Sequence, residues 1–285
     1  MKKTLISTFL FLFFSLYSFS FTLWQLPSQV NTIGNSYVIQ TNKGHLIVID
    51  GGTNNETEYL RGFIAALGNK VELWIASHPH DDHIQALTEI IKDPKGIEIK
   101  SICHSRFTKE LIDGEGQWSK YAYEFYQVLD SCNINILEQD KPGYEFKIDD
   151  LHGKIMSVAN PEILINPYNN SSMVFKLWDK KKSFTFLGDL GVEGGDKLMN
   201  SKYFKELDCD YLQMAHHGQQ GVSKEFYMNM NFKACLWPTP SWVFNNDIGG
   251  GFNTHILKTI DTRNWIKEKG ITKNYISFEG LVKIE

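Results

Sequence analysis

The sequence predicts an α/β protein in which two β-sheets pack between helices. Three observations support this class. Strands and helices alternate through the first half of the chain, strands and a helix follow again in the second half, and no linker or low-complexity stretch separates the halves. A repeated order of this kind without a boundary predicts one layered domain and not two separate domains.

The first half alternates strands with helices. Two runs rich in β-branched residues, 35–41 and 44–52, are joined by a glycine turn and predict a hairpin. Apolar residues recur at helical spacing through 55–68, and the short apolar run 71–77 is typical of a buried strand. Further elements are predicted as a helix at 83–93, a strand at 97–105 and a helix at 119–132.

The second half is richer in strands. Residues 144–161 predict two strands joined by a turn, and 171–189 predict a hairpin whose turn is the lysine run Lys180–Lys182. We expect that run to be a solvated turn and not a phosphate site. The remaining predicted elements are strands at 211–218, 232–240, 274–279 and 281–285 and a helix at 254–270.

Composition disfavours one large class of function. Charged residues make up 22% of the 285 residues, and the formal net charge is −4. No segment is broadly basic, and proteins bind polyanions chiefly through lysine and arginine. We therefore do not expect avid, nonspecific binding of nucleic acid, although a nucleic acid stays open as a substrate.

Residues 1–20 predict a secretory signal peptide. Two lysines precede an apolar run, and Ser18 and Ser20 have the spacing that signal peptidase accepts. Cleavage after Ser20 removes two lysines and no acidic residue, which takes the net charge to −6, and leaves one domain of residues 21–285. An uncleaved anchor is the alternative, because the run is near the lower length for a membrane span. We expect export to the periplasm or the cell exterior, without membrane contact after cleavage.

The four cysteines leave two states open. In an exported protein, Cys103, Cys132, Cys209 and Cys235 can form up to two disulfides. Buried free thiols are an equal alternative. None of the four belongs to a CxxC pair, so a zinc site built from cysteines is not expected.

The segment after the strand at 71–77 has the densest set of chemical groups in the chain. Alternate residues of an extended segment point the same way, so His78 and His80 can face one metal ion. A proline between them keeps the segment extended. Asp82 and His83 lie one turn further on and can face a second ion. Imidazole and carboxylate are ligands that zinc, manganese and iron accept.

Later strands end in further candidate ligands. Asp189 follows an apolar run beside Gly188, where the backbone can turn tightly, and a carboxylate can link two cations through its two oxygens. His216 and His217 end another predicted strand, and two adjacent histidines in this setting favour a functional role over a structural one. Asp50 also ends a strand, and we expect it to brace the histidine loop and not to contact substrate.

Together these motifs resemble those of the metallo-β-lactamase fold superfamily. The segments IVIDGG, HPHDDH, FLGD and AHHG resemble its motifs, and the resemblance spans residues 36–218. It implies a four-layer αββα sandwich with the site along one edge of the sheets. The segments NNSSMVFKL, FTFLGD and HHG are similar to the branch that includes the hydrolase domains of DNA-uptake competence proteins and the phosphorylcholine esterases of cell surfaces.

The resemblance implies a hydrolase with two divalent metal ions, taken as Zn²⁺ with Mn²⁺ or Fe as alternatives. The implied ligands are His78, His80, Asp82, His83, Asp189 and His217. Asp82 would also orient the attacking water, and His216 would act on the substrate beside the metals. The reverse assignment of the two adjacent histidines stays open, because Gly218 permits a sharp turn.

The chain departs from the family pattern at one ligand. In much of the superfamily a histidine before the bridging aspartate completes the first metal site, whereas Asn169 and Asn170 stand in that region and are expected beside the ligands. His104 lies too early in the chain, and His152 lies in a predicted turn. The third ligand of the first metal therefore stays open. Asp189 also replaces the cysteine of the B1 β-lactamases, which disfavours a β-lactamase.

These residues predict an exported metal-dependent hydrolase, first a phosphodiesterase acting on a small-molecule or cell-envelope substrate. A lactone or β-lactam hydrolase is the alternative enzyme. A noncatalytic binding module on the same fold is the alternative of another class, and the intact ligand set argues against it. Trp237 and Trp242 follow a late strand and are candidates for substrate contact by stacking, with core packing as the alternative.

Overall fold

A computed structural model describes residues 20–285 as two β-sheets between two layers of helices. The strands are β1 (Thr22–Gln25), β2 (Ser36–Gln40), β3 (Leu46–Asp50), β4 (Lys70–Ile75), β5 (Glu98–Ile99), β6 (Ser101–His104), β7 (Asn135–Glu138), β8 (Glu145–Ile148), β9 (Leu151–Ser157), β10 (Val174–Trp178), β11 (Ser183–Phe186), β12 (Tyr211–Gln213), β13 (Ala234–Trp237), β14 (Lys273–Ile276) and β15 (Val282–Ile284). The α-helices are α1 (Thr57–Ala66), α2 (Asp81–Lys92), α3 (Lys109–Asp113), α4 (Ser119–Ser131), α5 (Pro167–Asn170), α6 (Val192–Met199), α7 (Lys224–Asn229), α8 (Ser241–Asn245) and α9 (Thr259–Glu268).

Each half of the chain builds most of one sheet. The first sheet has the strand order β15-β1-β2-β3-β4-β6-β7, with β5 beside β4, and the second has the order β14-β13-β12-β11-β10-β9-β8. Strands β3, β4 and β6 are parallel to one another, as are β11, β12 and β13. The carboxyl ends of parallel strands are where α/β proteins place their ligands, and the loops after β3, β4, β11 and β12 carry the site described below.

Three apolar clusters define the layers. On β3, Val48 faces the cluster formed with α1, α2 and α4, whereas Ile49 faces the second sheet. Phe175 and Phe186 complete that central layer with ring centroids 5.1 Å apart. A third cluster packs α6, α7 and α9 on the outer face of the second sheet. Alternating side chains thus cover both faces of each sheet, and the predicted αββα sandwich is confirmed.

The structure differs from the sequence prediction in several elements. The pattern assigned no strand to Thr22–Gln25 or Asn135–Glu138, yet both pair in the first sheet. The helix predicted over 254–270 begins only at Thr259. The five helices α3, α5, α6, α7 and α8 were also not predicted, because segments of four to eight residues show too little periodicity.

Two further predictions concern the cysteines and the signal peptide. All four cysteines lie within the described residues and are free thiols, so the disulfide alternative is not what the structure shows. The signal-peptide prediction for residues 1–20 falls almost wholly outside the described residues. Within residues 20–285, no helix is both long and apolar enough to cross a membrane.

Candidate metal centre

The loop after β4 brings two histidines to one point. Nε2 of His78 and Nδ1 of His80 lie 2.9 Å apart. His80 keeps an extended backbone, with φ −73° and ψ 150°, and is the N-cap residue of α2 without a capping hydrogen bond from its side chain. Because the segment stays extended across Pro79, the two imidazoles face the same side, as the alternation argument predicts.

A second group forms where α2 begins. Nε2 of His217 lies 2.9 Å from Oδ2 of Asp82 and 3.2 Å from Oδ2 of Asp189. Nε2 of His83 lies 3.2 Å from Oδ1 of Asp189. One ligand atom from each of these four residues lies within 4.8 Å of the others, which is close enough for all of them to hold a single ion.

Asp189 belongs to both groups, since it also lies within this range of His78 and His80. The backbone reaches this position through Gly188, whose φ is +55°. A Cβ at Gly188 would lie 3.0 Å from Cβ of Ser172, and the Ser172 hydroxyl accepts the backbone N–H of Asp189 at 3.0 Å. Left-handed backbone and close packing together explain glycine here and fix the shared carboxylate.

The two adjacent histidines lie on a left-handed turn and not on a strand. The φ of His216 is +50° and that of His217 is +55°, a conformation that costs on the order of 1–3 kcal/mol per residue. Nδ1 of His217 donates to the Pro238 carbonyl at 2.9 Å, and Nδ1 of His216 donates to the Gln220 carbonyl at 3.1 Å. Each Nε2 is therefore left to face the site, with that of His216 3.9 Å from Asp189 Oδ2.

Asp50 lies behind the ligands and braces them. Its carboxylate accepts hydrogen bonds from the Ser77 backbone at 2.7 Å, from Asn35 Nδ2 at 2.6 Å and from His83 Nδ1 at 2.8 Å. The last of these keeps the His83 proton on Nδ1 and leaves Nε2 for a metal ion. Asp50 is fully buried, so substrate does not reach it.

The donor set fits divalent metal ions. Nε2 of His83, Nε2 of His217 and Oδ1 of Asp189 are buried, and within residues 20–285 none of them meets a partner in hydrogen-bond geometry despite the short distances above. Buried polar atoms without partners are costly, and the three residues bring ligand atoms within 4.8 Å of one another. A cation with nitrogen and oxygen ligands satisfies all of them.

The protonation states agree with this fit. Burial lowers the pKa of His78 well below its usual value, which keeps the imidazole in its neutral, metal-binding form. Burial alone would also lower the pKa of His217, but the carboxylates of Asp189 and Asp82 raise it to about 9. In turn, the imidazoles hold the pKa of both carboxyl groups below the usual range despite their burial. Without metal, protons on the imidazoles therefore balance the negative charge of the carboxylates, which metal cations would otherwise balance.

A cleft of about 660 Å³ opens over the two ligand groups. Its lining residues are Asn31, Thr32, Ile33, Thr53, His80, Asp81, Asp82, Glu115, Trp118, Asp189, His216, His217, Gln219 and Trp242. Trp242 is one of these lining residues, with Nε1 donating to the Asn31 carbonyl at 3.2 Å, and its contact with substrate stays a prediction.

Two predicted site residues lie elsewhere. Trp237 is 1% exposed, donates to Asn274 and packs beneath Gly218 in the outer core, so the prediction that it contacts substrate is wrong. The Asn170 amide bonds the Ile165 carbonyl, Glu193 and the Gly194 backbone, which fixes the start of α6 and not the metal ligands. Both outcomes depend on tertiary contacts that strand-end position alone does not reveal.

Asn169 does reach the site, whereas the other candidate histidines do not. Nδ2 of Asn169 lies 3.4 Å from His216 Nε2, and Oδ1 of Asn169 is buried and has no hydrogen-bond partner in the described part of the chain. His104 packs between Phe125 and Tyr126 on the helix side of the first sheet. His152 stacks on a tryptophan of β10. Within residues 20–285, neither of these histidines belongs to a metal-ligand group.

Sequence reasoning missed Glu115. Oε2 of Glu115 lies 3.5 Å from Nε2 of His80. Burial raises the pKa of Glu115, but His80, the Tyr168 backbone N–H and His216 together lower it below its usual value. Glu115 falls between α3 and α4, where no periodic pattern indicated an element. The only available signal was one acidic residue between Gly114 and Gly116, shortly before Trp118.

Fold and site together define a metal-dependent hydrolase with an αββα sandwich. The sequence profile of the metallo-beta-lactamase superfamily matches residues 31–228, and the chain belongs to that superfamily. The ComE operon protein 3 of Bacillus subtilis (strain 168) is 28% identical over 178 residues, which cover 61% of this chain and 21% of that protein. The chain therefore corresponds to about a fifth of that relative.

Solved structures share the fold at low sequence identity. The metallo-beta-lactamase fold protein YhfI from Bacillus subtilis has a TM-score of 0.56 at 11% identity, covering 93% of this chain and 99% of that one. CmlA from Streptomyces venezuelae, a diiron beta-hydroxylase, has a TM-score of 0.55 at 11% identity, covering 93% of this chain and 54% of that one. These similarities show the fold and do not specify the chemistry.

Proposed function

We propose that this protein is an exported phosphodiesterase that uses two divalent metal ions, with Zn²⁺ the first to test. The observation that carries the proposal is the pair of ligand groups that share Asp189 under one cleft. When bound, two such ions activate a water molecule and neutralise charge on a phosphoryl group. Because a phosphodiester is anionic, it gains more from two cations than a neutral lactone does.

Two residues are assigned to the reaction itself. The side chain of Asp82 is 18% exposed, so its carboxylate belongs to the ligand group and also reaches the cleft, where it would orient an attacking water. The His216 side chain is 21% exposed and presents Nε2 to the cleft. Because Nδ1 donates to Gln220, Nε2 has a hydrogen to offer only when the ring is the imidazolium. In that state it would donate to a phosphoryl oxygen or give the proton to the leaving group. Its Nδ1 bond to Gln220 fixes the ring for this role.

The charges of the cleft limit the class of substrate that it can bind. Among the described residues that line it, none is lysine or arginine, whereas Asp81 and Glu115 flank the metal ligands. A second anionic group on the substrate would face carboxylates without a counter-charge. This arrangement favours a phosphodiester with one negative charge and a neutral or cationic substituent over a polynucleotide. It also disfavours a β-lactam, which has a free carboxylate beside its ring.

Export is proposed from the N-terminal sequence. The predicted cleavage after Ser20 places the new terminus at Phe21. This residue is 2% exposed, and its ring centroid lies 5.5 Å from that of Phe184. A domain that begins at Phe21 therefore keeps its first core residue. The substrate would then be a small molecule or a component of the cell envelope.

A substrate screen tests the proposal. The mature protein, loaded with Zn²⁺ or Mn²⁺, would be assayed on bis-p-nitrophenyl phosphate, p-nitrophenyl phosphorylcholine and nitrocefin. We expect turnover of at least one phosphodiester and its loss in Asp189→Asn, which removes the shared charge. Turnover of nitrocefin alone would support the β-lactam hydrolase instead. Two bound ions without turnover of any ester would support the binding module.

A further inference from the structure

We infer that Glu115 is a positioning residue for the metal ligand His80, holding its imidazole so that Nδ1 faces the ion. The inference deepens the proposed function, since it rests on His80 as a ligand, but it does not depend on which substrate is cleaved. Sequence motifs gave no indication of Glu115, and the structure brings it to the ligands from a separate loop.

The geometry divides the two nitrogens of His80 between two partners. Nδ1 lies 2.9 Å from Nε2 of His78, on the side where the two imidazoles converge. Nε2 lies on the other side of the ring, 3.5 Å from Oε2 of Glu115. A neutral imidazole has one N–H and one lone pair, and a carboxylate stabilises the N–H that faces it. Glu115 thus favours the tautomer whose Nδ1 is free to bind metal.

Glu115 is itself held in place. Its Oε1 accepts the backbone N–H of Tyr168 at 3.3 Å, which leaves Oε2 for the histidine. The Tyr168 ring lies against the His80 ring, with centroids 4.9 Å apart and planes 35° apart. The imidazole is therefore held by a carboxylate at its edge and a phenol ring at its face.

The loop that carries Glu115 is built for close approach. A Cβ at Gly114 would lie 2.9 Å from the Pro167 side chain, so only glycine lets this loop pack directly on α5. The φ of Gly116 is +57°, which turns the chain immediately after Glu115. Because Tyr168 follows Pro167 on α5, the same packing sets the distance from Glu115 to His80.

The first metal site is where such support matters most. That site has two histidines and the shared Asp189, whereas the second site has four protein ligands. Loss of a carboxylate behind a metal-bound histidine typically weakens metal binding about 10- to 100-fold. We expect that loss at the site of His78 and His80 only.

The test is a metal titration of Glu115→Ala and Glu115→Gln beside the wild-type mature protein. Zn²⁺ would be titrated into the metal-free protein against a chromophoric chelator, and Co²⁺ absorption would report the geometry of each site. We expect Glu115→Ala to bind one ion as tightly as wild type and the other about 10- to 100-fold more weakly. Glu115→Gln, which can still accept a hydrogen bond but has no charge, should lie between the two.

Glu110→Gln is the matched control. Glu110 is an exposed acid on the neighbouring helix α3, so this variant should bind both ions as the wild-type protein does. Three results would overturn the inference. Unchanged binding of both ions in Glu115→Ala would exclude positioning. Unchanged binding with a raised KM would place Glu115 in the substrate wall, and equal weakening at both sites with a lower Tm would make its role purely structural.

Discussion

At the scale of single residues, the main finding is how one pair of histidines divides its work. His216 and His217 share a left-handed turn, and both rings are fixed through Nδ1 to backbone carbonyls. Only His217 lies within 3.2 Å of both Asp82 and Asp189. His216 lies farther from Asp189 and is more exposed to the cleft. This difference leads to separate predictions for the two side chains.

The first prediction compares truncation of each histidine. His217→Ala should lose metal and activity together, since it removes one ligand of the second site. His216→Ala should keep most of the metal and lose about 10²- to 10⁴-fold in rate, the range for removal of a positioned acid or base. Elemental analysis and turnover would be measured on the same samples. Metal loss in His216→Ala with retention in His217→Ala would reverse the two roles.

The second prediction concerns pH. The pKa of His217 is raised to about 9 in the metal-free protein, so its proton stabilises the fold below pH 6.5 and this contribution is lost as the pH rises through about 9. A metal ion must displace that proton. For this one proton, apparent metal affinity should therefore rise by up to about tenfold per pH unit from pH 7, and less steeply as the pH approaches 9. Chelator competition at pH 7, 8 and 9 measures this slope, and an affinity independent of pH would contradict the protonation scheme.

At the scale of elements, the site is assembled from strand ends and the turns after them. The sequence predicts this well where a motif follows an apolar run, as for His78 and Asp189, because strand ends are marked by composition. The sequence-based prediction fails where contacts between distant segments determine the position of a side chain. Trp237 is the last residue of β13, yet its indole lies beneath Gly218 and not in the cleft. Glu115 lies beside His80 in a loop that packs on α5 through Gly114.

The third prediction tests the packing beneath the histidine turn. The φ of Gly218 is +79°, and a Cβ there would lie 2.3 Å from the Trp237 ring. Gly218→Ala should lower the free energy of unfolding by at least about 2 kcal/mol, through overpacking and backbone strain together. Gly44→Ala is the control, since its φ is +91° and its Cβ would meet no atom within 4 Å. Urea unfolding of both variants separates the contributions, and equal losses would exclude the clash with Trp237.

At the scale of the whole molecule, both sheets are needed for one site. The first sheet supplies Asp50 and the histidine loop, and the second supplies Asp189 and the histidine turn. The family match ends at residue 228, whereas β13, α8, α9, β14 and β15 follow it. That last segment contributes Trp242 to the cleft, and β15 pairs with β1 in the opposite sheet. The local sequence pattern could not predict the pairing of β1 with β15, because the two strands lie at opposite ends of the described chain.

The fourth prediction concerns the mature N-terminus. N-terminal sequencing of exported protein should begin at Phe21, because the Ser18/Ser20 spacing sets the cleavage point. The Phe21 ring then keeps its place beside Phe184 in the layer between the sheets. Exported protein that still begins at Met1 would contradict the signal peptide and support the anchor.

The measurement that tests the central claim most directly is the metal content of the purified mature protein, by elemental analysis before and after reconstitution with zinc or manganese. The two ligand groups that share Asp189 predict about two ions per chain. Filling should occur in two steps, with the four-ligand site first and the site of His78 and His80 under excess metal. No bound metal, even after reconstitution, would contradict the metal centre and the hydrolase built on it.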